Sequence, residues 1–134
     1  MPRTFSIAEA QALLPTIAPL IEQLQALYSS LQENNSRTEE LSESASPNEA
    51  GDRAHLRVLS AQQLELAETF DALLAQLEGH GCILKDLKQG LVDFYAMREG
   101  KLVFLCWKTD ERRIEYWHTL EGGFGGRKLI DEPN

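Results

Sequence analysis

Only two cysteines, Cys82 and Cys106, occur in the 134 residues of this chain. That is too few for a disulfide framework, and a chain of this length buries a core without one. Both are read as reduced thiols, which places the protein in a reducing, cytoplasmic compartment. Basic residues are scarce too: 13 Lys and Arg stand against 21 Asp and Glu, a formal net charge of -8. Nucleic-acid binding draws on a clustered Lys/Arg face that releases counterions. Here the only basic concentrations are Lys85 with Lys88 and Arg112 with Arg113. Neither nucleic acid nor an anionic membrane is an expected partner. Long apolar runs are also missing. The candidate from Ala12 to Ile21 is preceded by Glu9, interrupted by Pro15 and Pro19, and led by no basic segment. It reads as neither a signal peptide nor a membrane span.

What is present has two periods. Ser6-Ile7-Ala8-Glu9 matches a capping box, in which the Ser hydroxyl accepts from the third helical N–H and the Glu reaches back to the cap. A helix over 7–33 is expected, with a kink near Pro15, where the ring removes a backbone donor and crowds the preceding turn. Ile17, Leu20, Ile21, Leu24, Leu27, Tyr28 and Leu31 form its apolar stripe. Residues 34–52 hold one Leu and no aromatic residue, so a flexible polar loop is expected there. A second helix over 53–78 carries Leu56, Leu59, Leu66, Phe70, Leu73 and Leu77 at alternating spacings of three and four, with Gln63 in the one polar slot. Gly79 and Gly81 end it. The two stripes zip into an antiparallel helical hairpin.

Beyond Gly81 the period becomes that of strands. Leu91–Ala96, Leu102–Lys108 and Arg113–Leu120 are rich in β-branched and aromatic residues and are joined by short polar turns, which forces an antiparallel meander. Cys82–Leu84 offer a fourth, short strand, so the meander spans 82–120 and a Gly-rich tail fills 121–134. The fold class is α+β: a long antiparallel helical hairpin packed on a three- to four-stranded antiparallel meander, in a single domain over 1–134. If both hairpin loops hold an even number of residues, Val92, Phe94, Val103, Leu105, Trp107, Ile114, Tyr116 and His118 cover the helices. The opposite face then carries Leu91, Asp93, Tyr95, Leu102, Phe104, Cys106, Glu115, Trp117 and Thr119. An odd loop inverts one strand.

Several constellations invite chemistry. Glu115-x-x-His118 has the spacing of a carboxylate-histidine ligand pair, but that pairing needs helical geometry, and in a strand the two residues point apart. His80, Cys82, Cys106 and His118 are zinc-type ligands without a CxxC or HxxxH knuckle, and parity separates Cys106 from His118. No metal set is therefore assigned, no cofactor is expected, and Cys106 reads as a buried small hydrophobe. Asp93 lies between Val92 and Phe94 and needs a partner, for which Arg127 and Lys85 are candidates. Gly122-Gly123-Phe124-Gly125-Gly126-Arg127 resembles an anion nest but lacks the Lys-Ser/Thr of a P-loop and reads as an exit turn.

The segments GCILKDLKQGLVDF, LCW, Trp117-His118, GFGGR and the N-terminal FSIAEAQALLP resemble an uncharacterised bacterial family, common in cyanobacteria, classed as a domain of unknown function. Some of its members bear a division-initiation label. The resemblance spans nearly the whole chain apart from the polar loop. It implies a helical hairpin joined to a small sheet and no known activity, and it draws attention to Asp86, Asp93, Trp107, His118 and Arg127.

Two functions are expected on these grounds. The first is a non-enzymatic module that self-associates or docks a protein partner through Leu64, Leu74, Tyr95 and Phe104. The second is a small-ligand or metal site at one end of the sheet, built from Asp93, Glu115, Trp117, His118 and Arg127. No nucleophile, base and orienting group fall together in sequence, so no catalytic residue is assigned.

Overall fold

The computed structural model describes residues 2–44 and 50–130. Two helices, α1 (Ile7–Ser44) and α2 (Ala50–Gly79), pack against each other. Five strands follow: β1 (Ile83–Asp86), β2 (Leu91–Arg98), β3 (Lys101–Lys108), β4 (Tyr116–Thr119) and β5 (Lys128–Leu129). They form one antiparallel sheet in sequential order. This is the α+β hairpin-on-meander architecture that the two periods imply, with five strands where three or four are expected. Among the described residues no helix is long and apolar enough to cross a membrane.

α1 starts where the capping box places it. Ser6 N–H donates to Glu9 Oε1 at 2.8 Å and Glu9 N–H to Ser6 Oγ at 3.1 Å. Hydrogen bonding to the carboxylate, from the Ser6 backbone first and then from its side chain, holds the Glu9 carboxyl below its ordinary pKa. The helix runs through Pro15 and Pro19 without interruption. It also runs eleven residues beyond the expected end at 33, so most of the supposed loop is helix; residues 45–49 of it lie outside the described chain. Composition misleads there because Glu, Arg and Leu are good helix formers even where no core is available. Glu33 and Arg37 pair at 2.7 Å one turn apart, and Asn34 Nδ2 donates to Gln62 Oε1 of α2 at 3.4 Å. The polar half of the hairpin is thus held by contacts between helices that a single-segment reading leaves out.

The main core lies between the helices and the inner face of the sheet. α1 contributes Ala10, Leu14, Ile17, Leu20, Ile21 and Leu24, α2 contributes Leu77, and the sheet contributes Val92, Phe94, Ala96, Val103, Leu105 and Trp107. Only the first half of α1 and the end of α2 meet the sheet. At 1.5 Å per residue α1 is about 57 Å long, whereas an eight-residue strand spans about 27 Å. The far half of the hairpin therefore extends past the sheet, and its partner is the other helix.

Glu99 and Gly100, both at positive φ (51° and 77°), make the two-residue turn between β2 and β3, the geometry whose twist suits a hairpin. This even loop keeps the expected pairing of faces, with Phe94 opposite Leu105 and Asp93 opposite Cys106. Where β1 stops, the edge of β2 is taken by the N-terminal segment, as Phe5 N–H donates to Tyr95 O at 2.8 Å. Gly81, at φ +104°, allows that segment to close down: a Cβ there would stand 2.5 Å from Phe5 Cζ.

Cys82 belongs to this inner core. Its S–H donates to Leu77 O at 3.5 Å, and burial is the main reason its pKa is pushed up from 9.0 to about 11. A raised folded-state value means the stabilisation is complete below the unfolded value near 9.0 and is lost as pH rises through about 11. In urea titrations between pH 8 and 11, Cys82→Ala is expected to flatten the alkaline loss of stability by about 1.4 kcal/mol per pH unit. Parallel slopes for variant and parent would contradict this assignment.

Candidate functional site

The connection from β3 to β4 covers residues 109–115, seven in all and therefore an odd number. Its length inverts β4 relative to the even-loop expectation. Cys106 pairs with Tyr116, Leu105 with Trp117 and Phe104 with His118. His118 and Tyr116 consequently share the outer face with Asp93 and Cys106, while Trp117 turns inward and packs on the helix-side core. The expected faces of these three residues are thus reversed. Ile114, just ahead of the strand, is in the inner core as expected, its N–H donating to Gln11 Oε1 of α1 at 2.9 Å.

Glu111 gives the odd connection its shape. Its carbonyl accepts from Trp107 Nε1 at 3.0 Å, and its carboxylate accepts from Lys108 N–H at 2.8 Å. Arg127 Nη2 donates to both carboxylate oxygens, at 2.7 and 2.8 Å. The guanidinium lies 3.9 Å from the Tyr116 ring centroid and 4.8 Å from that of Phe124. One charge pair with two stacked rings thus brings the Gly-rich tail back over the outer face. Ile130 N–H donates to Glu115 O at 2.9 Å, and β5 pairs with β4. The tail is therefore an ordered edge strand preceded by a single helical turn at Phe124–Gly126, not a plain exit turn; residues 131–134 lie outside the described chain.

Under this cover Asp93, Cys106 and His118 meet. All three are buried, at 1%, 0% and 2% exposure, in a face where burial of polar groups is costly unless they are paired. One potential ligand atom from each lies within 4.8 Å of the other two. His118 Nε2 is 3.0 Å from Asp93 Oδ2, and Nδ1 is 2.7 Å from the carbonyl oxygen of Thr119. A carbonyl can only accept, so Nδ1 carries the hydrogen and Nε2 is the nitrogen turned to the carboxylate. Asp93 Oδ1 is buried with no hydrogen-bond partner. Burial, then the Asp93 charge, pushes the Cys106 thiol up from 9.0 to about 12, against the opposing pull of Arg127. That thiol is no ready nucleophile.

Asp93 and His118 form part of the wall of a cleft of about 280 Å³. Phe104, Leu120 and Phe124 give it apolar sides and Lys85 and Gln89 a polar rim. Lys85 Nζ lies 4.8 Å from the Phe104 ring centroid, and the Phe104 and His118 rings are 5.4 Å apart. At the rim Asp86 accepts from the backbone and side chain of Gln89, both at 3.1 Å, which fixes the β1–β2 turn and lowers the Asp86 pKa.

Residues 3–130 match the family described as an uncharacterised conserved protein, DUF2203. The chain belongs to the DUF2203 family. No curated protein and no solved structure matches it. In this DUF2203 protein the ligand set expected from sequence divides. Asp93 and His118 come together, whereas Arg127 is committed to Glu111 and pairs with neither. Glu115 is exposed and 4.0 Å from Arg113. Trp117 lies on the inner face between the cations of Arg98 and Lys128, 4.7 and 5.0 Å from its ring centroid. The partner of Asp93 is His118, not Arg127 or Lys85. Of the imagined zinc tetrad only Cys106 and His118 meet, since Cys82 is in the inner core. Among the surface positions proposed for a partner, Phe104 is buried, Leu74 is packed on the core, Tyr95 is half-buried and Leu64 is 61% exposed. The residues missed by sequence reasoning are Cys106, as a neighbour of His118, and Glu111. The odd number of residues between Lys108 and Tyr116 is the signal for the first.

Proposed function

We propose that this protein binds a small polar ligand in the cleft on the outer face of its sheet, without catalysis. The carrying observation is the unpartnered, buried Asp93 Oδ1 beside His118 at the cleft wall. Native interiors rarely leave such an atom without a partner, and a ligand or ion supplies the missing one. The volume of about 280 Å³ is near the lower end of ligand pockets, roughly 300 Å³ and upward, so the ligand is small. Its polar end meets Asp93 and His118, and its apolar part lies on Phe104, Leu120 and Phe124.

Thermal denaturation across a panel of small amines, amides, carboxylates and polyols tests this. A binder at 100 times its Kd stabilises the fold by about 2.7 kcal/mol. At least one compound is expected to raise the melting temperature of the parent and not of Leu120→Trp, which fills the cleft mouth. A panel that moves neither protein, or moves both equally, removes the proposal.

A second reading, self-association or docking of a protein partner along the hairpin, is supported by Leu64 and Val58 of α2, 61% and 52% exposed. Isolated exposed apolar residues are common on monomers, so this support is weaker than that for the cleft. Light scattering across a dilution series checks self-association.

A further inference from the structure

We infer that Asp93, Cys106 and His118 bind a divalent cation of the zinc class, one carboxylate oxygen, Sγ and Nε2 being its protein ligands. The inference deepens the cleft reading, because Asp93 and His118 line the cleft and a cation held between them borders it.

Three features carry it. The donor set of carboxylate, thiol and imidazole suits borderline cations such as zinc or cobalt, whereas magnesium and calcium select oxygen ligands. The ligand atoms are already within 4.8 Å of one another, on three adjacent strands of one sheet. Strands hold such positions more rigidly than loops do. Finally, the orientation of His118 is that of a metal ligand. Nδ1–H donates to the Thr119 carbonyl at 2.7 Å, which leaves the Nε2 lone pair directed at the carboxylate, 3.0 Å away. Two lone pairs facing each other in a buried site require a proton or a cation between them. Backbone carbonyls fix metal-binding histidines in this way and keep the other nitrogen free to coordinate.

A purely structural role accounts for less. Three apolar side chains in these positions would fill the same layer under Phe104 without the cost of desolvating a carboxylate, and such replacements are often neutral or stabilising. The structural account also leaves Asp93 Oδ1 without a partner. A cation satisfies the carboxylate and the Nε2 lone pair together. Cys106 joins by losing its thiol proton: the S–H bond breaks and the sulfur electron pair goes to the metal, while the cation also displaces the proton that bridges Asp93 and His118 Nε2 in the metal-free protein, so two protons leave to solvent for each cation bound.

The test uses the full chain, stripped with a chelator, and titrated with Co²⁺ and separately with Zn²⁺ in weak buffer. One cobalt per chain is expected, with a thiolate-to-cobalt charge-transfer absorption displaced by zinc and about two protons released. Cys106→Ser is expected to lose the charge-transfer band, and His118→Gln to weaken cobalt binding at least about 10-fold. Absence of saturable cobalt binding to the folded parent overturns the inference, whatever the variants do. So does a band that persists in Cys106→Ser. Outcomes for the cleft are separate: a panel ligand blocked by Leu120→Trp with no cobalt signal removes the cation and keeps the cleft. Cobalt bound with an inert panel keeps the cation and removes the cleft.

Discussion

His118→Ala, measured with chelator present, is expected to cost about 3–5 kcal/mol of folding free energy, a large fraction of the stability of a domain this size. The imidazole holds the Asp93 carboxylate at 3.0 Å, and Asp93 is 1% exposed. Its removal leaves a buried carboxyl group with only the weak thiol donor of Cys106 beside it. The Thr119 carbonyl loses its donor at the same time, and a void opens beneath Phe104, so hydrogen-bond, charge and cavity terms have the same sign. Asp93→Leu combined with His118→Leu removes both polar partners and fills the space. That double variant is expected to lie within about 1.5 kcal/mol of the parent, since shape-matched apolar replacement of a buried pair is often neutral. Urea unfolding with unchanged m-values reads both. If His118→Ala cost less than about 1 kcal/mol, the pair would be solvated in solution and the buried site described here would not exist.

What the sequence makes legible divides from what it hides along the range of the forces involved. Local signals were sufficient for the capping box at Ser6 and Glu9, for the glycine that closes α2, and for the switch from helical to alternating period at residue 82. The pairing of β2 with β3 was equally accessible because Glu99-Gly100 is a two-residue turn, and such turns set the register by themselves. The length of α1 was not accessible, because its polar half is held by contacts such as Asn34 with Gln62, 28 residues apart. The site failed for a related reason. Its assembly depends on the parity of one connection, and that connection takes seven residues because Glu111 bonds Trp107, Lys108 and Arg127 together. Asp93 and His118 were recognisable as chemistry-bearing residues in isolation. That they touch, and that Cys106 stands beside them, follows only once β4 is turned over. Arg127 is legible as a cation near the sheet and a candidate for Asp93, but its actual partner, Glu111, reads in sequence as an ordinary turn residue.

The second large effect is expected at Phe94, on the other face of the same strand. Its side chain is fully buried and meets the Phe5 ring edge to face, with centroids 5.3 Å apart and planes at 73°. Phe94→Ala removes the centre of the core between α1 and the sheet, where Leu105 lies directly opposite. A loss of about 3–5 kcal/mol follows from burial and the cavity left behind, including about 0.5–1.5 kcal/mol for the aromatic pair. Phe5→Ala is expected to cost less, because Phe5 lies before the first helix and its backbone bond to Tyr95 survives the change. A double-mutant cycle of the two separates ring coupling from burial. The same geometry makes Gly81 a reporter: its missing Cβ is the space that Phe5 Cζ occupies at 2.5 Å. Gly81→Ala is therefore expected to be more damaging in the parent than in Phe5→Ala, where only the strain of its positive φ remains. Equal costs in the two backgrounds would show that the N-terminal segment is not docked on the core in solution, and with it the support for Phe94 from that side.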